Sequence, residues 1–183
     1  MNEWVQLQSQ PKGSITAGGL CRVYGVPVEW VQDIPRENPV SQTITDDIAL
    51  AAGKDWIPFV WAHSSRVFSE DGKIQGGQPY WESKLTGTLY WNPANQHIQG
   101  NNMLFHRWVF LVKESGTTNW YLIGTARKGA SMTINYQSRP GTKTEVTAMF
   151  RAANRAPIYE GSITGDIIDP GGIFSPVFSL EFA

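Results

Sequence analysis

From Tyr80 to Trp91 the side chains alternate without a break. Trp81, Leu85, Leu89 and Trp91 share one face with Ser83 and Gly87, and Tyr80, Glu82, Lys84, Thr86, Thr88 and Tyr90 share the other. A period of two is that of an extended strand with one face buried. Asn92-Pro93 ends it. A strand of this length leaves backbone donors and acceptors open along both edges, so the rest of the chain must supply partner strands.

The partners are visible. Leu104 to Lys113 is nearly continuous in apolar and aromatic residues, as in a central strand. The chain turns at Glu114–Asn119 and returns along Trp120–Ile123, which predicts a hairpin. A second hairpin follows: Ser131–Gln137 places Met132, Ile134 and Tyr136 inward, Arg139-Pro140-Gly141 turns, and Thr144–Arg151 brings back Val146, Ala148 and Phe150. Val23 to Val31 alternates with Tyr24, Val26, Val28 and Trp30 on one side, and Pro27 within it marks an edge position, because proline cannot donate to a ladder. Asp55 to Ala62 reads as a further strand, and Ile158 to Ala183 as short strands interrupted at Asp169–Gly172. Residues 71–78, with Gly72, Gly76 and Gly77, read as a flexible loop. Thr45 to Gly53 suits a capped helix and a short strand equally.

The expected architecture over residues 1–183 is one all-β domain, a β-sandwich or partly closed barrel of mostly antiparallel strands. It has at most one short helix, and residues 1–19 form an extended N-terminal arm.

Charge narrows the function. Only 17% of residues are charged and the net charge is −1, so the chain lacks the basic footprint of a nucleic-acid or anionic-membrane binder. No apolar run approaches the roughly 18 residues of a membrane helix, and Met1–Gln6 has no basic or apolar leader. The single Cys21, set among apolar neighbours, reads as an inert strand residue in a reducing compartment.

Catalytic constellations are not evident. His63, His97 and His106 lack the spacing that presents two imidazoles to one metal. Ser64 and Ser65 beside His63 read as a polar strand end, without a nucleophile elbow. Asp46-Asp47 and Glu70-Asp71 read as turn or cap residues, and Gly76-Gly77 leads into no helix that could cradle phosphate. No catalytic residue, cofactor or metal is therefore expected, and a small-molecule ligand is not. The eight tryptophans, at 4, 30, 56, 61, 81, 91, 108 and 120, read mainly as core. Exposed ones could stack sugars or meet another subunit.

Several segments carry a family resemblance: Asp47–Trp56, Arg66–Glu70, Gly77–Gly87, the hairpin Trp108–Lys113 to Trp120–Gly124, and Glu145–Phe150 with Ala156–Tyr159. In order and spacing they resemble tail-tube-like virion proteins of phages and prophages of Bacteroidetes-type bacteria. The resemblance spans Asp47 to Tyr159 and implies a β-sandwich subunit in a ring, usually sixfold, with rings stacked into a DNA conduit. Implied partners are further copies of the chain and other virion proteins, within a virion assembled in a bacterial cytoplasm. One departure stands out: no pair of long alternating strands marks a lumen-lining hairpin. Tail terminator, connector and capsid-decorating roles thus stay open, as does a carbohydrate- or receptor-binding sandwich. Expected subunit contacts are Trp4 in the arm, Pro27 at its edge position, and Ile74 and Gln78 in the glycine-rich segment.

Overall fold

The computed structural model describes residues 20–59, 65–89, 96–115, 117–137 and 143–163. The N-terminal arm, with Trp4, lies outside them. Among the described residues twelve strands, one short α-helix and one turn of 3-10 helix follow in chain order. The strands are β1 (Leu20–Pro27), β2 (Val31–Asp33), β3 (Thr43–Ile44), β4 (Ala49–Leu50), β5 (Ile57–Pro58), β6 (Val67–Gln75) and β7 (Gln78–Leu89). After helix α1 (Gln96–Phe105) come β8 (Trp108–Glu114), β9 (Trp120–Ile123), β10 (Ser131–Gln137), β11 (Lys143–Ala152) and β12 (Ile158–Tyr159).

A six-stranded sheet runs β3-β12-β9-β8-β1-β5, and a four-stranded sheet runs β10-β11-β7-β6. All pairings are antiparallel except β12 with β3. The all-β expectation therefore holds. Both predicted hairpins form, as β8–β9 and β10–β11.

The two sheets face each other across one core. Trp108, Phe110 and Val112 of β8 meet Leu85 of β7 and Val146, Ala148 and Phe150 of β11 there. The alternate β8 residues, Val109 and Leu111, point the other way, into a second core with Val26, Trp120, Leu122 and Tyr159. That second face is covered by the segment bearing β2 and β4, through Val31, Ile48 and Trp56. Burial on both faces is why β8 reads as an unbroken apolar run. Each of these large side chains contributes roughly 1.5–3 kcal/mol by leaving water.

At one margin the sheets are stitched together. Ala130 forms an isolated bridge to Trp108, with Trp108 N–H donating to Ala130 O at 3.1 Å and Ala130 N–H to Trp108 O at 2.7 Å. A Cβ on the preceding Gly129 would sit 2.5 Å from Val28 Cγ2 and 2.7 Å from Trp108 N, so only glycine permits this approach.

Three expectations need correction. The strand predicted over Val23–Val31 ends at Pro27, where the 3-10 turn Val28–Trp30 begins. Residues 71–78 are not a loop but the distal half of a β6–β7 hairpin. The run from Leu104 is not all strand: Leu104 and Phe105 end α1, and His106 lies at the bend before β8. Of the two readings open for Thr45–Gly53, the short strand is the one found, as β4.

Candidate functional site

The feature that departs most from a plain sandwich is the β6–β7 hairpin. Gly76 and Gly77, both at positive φ (59° and 79°), make the two-residue turn whose twist matches antiparallel strands. Nine residue pairs follow, from Gln75 opposite Gln78 to Val67 opposite Thr86. On its other side β7 pairs with β11 only from Trp81 onward, opposite Ala152. The ribbon beyond Trp81 thus projects past the sheet, and every residue from Asp71 to Pro79 is exposed. A long hairpin is therefore present, although the sequence patterning of residues 71–78 does not announce it.

Ion pairs brace its base on both faces. On the outward face Glu82 lies opposite Arg151 of β11 and diagonal to Lys73 of β6. Its carboxylate accepts from Arg151 Nε at 2.7 Å and from Lys73 Nζ, and its side chain is only 9% exposed. These two hydrogen bonds, Lys73 first and Arg151 second, hold the Glu82 carboxyl below its ordinary value. Its hydrogen bond to Glu82 likewise raises Lys73 above 10.5. On the inward face Glu70, its side chain 5% exposed, accepts from Arg155 Nε at 3.0 Å and Nη2 at 2.9 Å. It also accepts from Ala156 N–H at 2.8 Å, which fastens the connection after β11 to β6. The Arg155 guanidinium then lies 5.4 Å over the Trp81 ring.

Two measurements check this bracing. Glu70→Ala strands Arg155 and the Ala156 amide, and is expected to cost about 2 kcal/mol in urea unfolding, with the half-exposed arginine keeping the loss below that of a fully buried pair. Glu82, its folded pKa lowered, adds stability above the ordinary value of 4.5, and loses it as pH falls through the folded pKa. Its carboxyl carbon resonance is expected to titrate with a midpoint below 4.5. A midpoint at or above that value contradicts the ion triad.

The expected contact residues fall in different places. Ile74 and Gln78 flank the hairpin turn and are exposed, Ile74 at 78%. Pro27 is buried at the end of β1 opposite Trp108, so it offers no surface to another subunit. Glu70-Asp71 lies within β6 and not in a turn. Glu70, Glu82, Arg151 and Arg155 were not singled out by sequence as site residues. Glu82 carries the outward parity of an exposed residue, and nothing local signals that two cations will cover it.

Chemistry of other kinds finds little footing. Among the described residues no three His, Cys, Asp or Glu side chains group to hold a metal. A groove of about 500 Å³ lies between Ile34, Leu122, Phe150 and Pro157. Of the described tryptophans, Trp56, Trp108 and Trp120 are buried, while Trp30 and Trp81 lie under Lys54 and Arg155. The chain matches no family model, no curated protein and no solved structure. The projecting hairpin and its charged base are thus the candidate site on physical grounds alone.

Proposed function

We propose that this chain is a structural subunit of a phage virion that assembles with copies of itself into stacked rings, as a tail tube protein does. The projecting hairpin is the observation that carries this reading. A free two-stranded ribbon is marginally stable in water. This one is nonetheless long, braced at its base by two buried carboxylates, and tipped by an exposed isoleucine. Beside a neighbouring copy the ribbon gains a third strand or a packed face, and the open outer edge of β6 is covered. A heterologous contact of this kind repeats around a closed ring. The near-neutral net charge suits a conduit through which phosphates must slide.

The rival reading, a sugar-binding sandwich, draws less support. The two half-buried tryptophans have one face occupied by a cation and offer no open stacking platform there. Electron microscopy of the purified full chain tests the proposal. Rings or tubes are expected, and isolated particles of monomer size contradict it.

A further inference from the structure

Acidity is unevenly spread along this chain. Its last 20 residues, Thr164–Ala183, contain Asp166, Asp169 and Glu181 and no lysine or arginine. The preceding 163 residues therefore hold all 15 cations against 13 of the 16 carboxylates, and the net negative charge belongs wholly to the final segment. That segment also alternates: Phe174, Pro176, Phe178, Leu180 and Phe182 occupy one parity, and Ser175, Val177, Ser179 and Glu181 the other. It combines an apolar strand-period face with carboxylates, and lies outside the described residues.

A surface of matching character exists. Where the end of β1 approaches β10 and β11, a cleft of about 670 Å³ is lined by Arg107, Arg127, Lys128 and Arg151 around Val28 and Met149. A second cleft continues from Lys128 and Arg151 to Tyr80, and reaches Pro79 and Gln75 near the hairpin turn. One carboxylate, Glu29, lines the first cleft, and it faces His106 Nδ1 at 3.4 Å. Arg151 is used by Glu82, and Lys128 Nζ donates to Arg151 O at 3.2 Å. Among the described residues no carboxylate pairs with Arg107 or Arg127. The cleft thus has an apolar floor and a surplus of positive charge.

We propose that this cleft receives the acidic segment Thr164–Ala183 of a second copy of the chain. The inference rests on the self-assembly reading and names one of its contacts. The carboxylates would pair with Arg107, Arg127 and Lys128, and alternate apolar side chains would cover Val28 and Met149. Exposed pairs of this kind are individually weak. Reversing two cleft charges, Arg127→Glu with Lys128→Glu, is therefore expected to weaken association about tenfold. Adding Asp166→Lys and Asp169→Lys should recover most of that loss.

Zero-length carbodiimide coupling, which joins a carboxylate to a lysine, tests the contact directly by mass spectrometry of the full chain. The decisive sample co-expresses two forms. One carries Asp166→Asn, Asp169→Asn and Glu181→Gln, and the other carries Lys128→Arg, so a crosslink from Lys128 to the side chain of Asp166, Asp169 or Glu181 can form only between copies. That crosslink is the expected result. Crosslinking in the unsubstituted chain but not in the mixed sample places the segment on its own chain and overturns the proposal. No crosslink in either sample, from protein that sediments as an oligomer, overturns the docking and leaves self-assembly standing. No crosslink from a protein that sediments as a monomer overturns both.

Discussion

Phe110→Ala is expected to lower the unfolding free energy by about 3–5 kcal/mol, the largest stability loss of any substitution considered. Phe110 is fully buried at the middle of β8, where it touches both sheets of the main core. Its ring meets Phe59 edge-on at 5.3 Å and stacks near Trp108 at 6.2 Å, so its removal opens a cavity lined by rigid aromatic rings that cannot collapse inward. At roughly 2–4 °C per kcal/mol for a chain of this size, the melting midpoint should fall by about 6–20 °C. The same site predicts the opposite fault. A Cβ on Gly25 would stand 2.8 Å from the Phe110 ring and 2.8 Å from Phe59, so Gly25→Ala is expected to cost about 1–3 kcal/mol by overpacking. Because the new methyl group enters space the lost ring vacates, the double variant should be less destabilised than the two losses added. Strict additivity in urea unfolding contradicts this packing.

The second large effect concerns assembly. Ile74→Asp is expected to weaken self-association about 30-fold or more, the loss typical of an interface hot spot of 2 kcal/mol. Ile74 is 78% exposed near the tip of a ribbon that pairs with no third strand there, so a charge at this position costs the isolated subunit little. Subunit stability and association should therefore separate: an unchanged melting midpoint with impaired ring formation. A variant that melts early, or one that assembles normally, removes the hairpin tip from the interface.

The strands that form the core were legible because their chemistry is local. β8 is buried on both faces and reads as a solid apolar run, while β10 and β11 are buried on one face and alternate. Helix α1 was not legible. Its sequence, QHIQGNNMLF, includes Gly100, Asn101 and Asn102, all weak helix formers. The end of that helix is held from outside, by Met103 packed in the main core and by Trp108 Nε1–H donating to Met103 O at 3.0 Å. Tertiary contacts there outweigh propensity. The hairpin failed to show for a different reason: its distal half is exposed from Asp71 to Pro79, so no apolar period marks it and the glycines suggest a loop. Glu82 and Glu70 were hidden because their partners, Arg151 and Arg155, lie 69 and 85 residues away. Pro27 misled in the other direction. Its missing amide suggests an edge, but it ends a strand whose last residues need no further donor.

The proposed self-assembly through the β6–β7 hairpin is tested most directly by sedimentation velocity across a concentration series. The full chain should shift with concentration from monomer to a closed oligomer of defined size, and Ile74→Asp should hold it at monomer over the same range. A full chain that sediments as a monomer at every concentration would contradict the account.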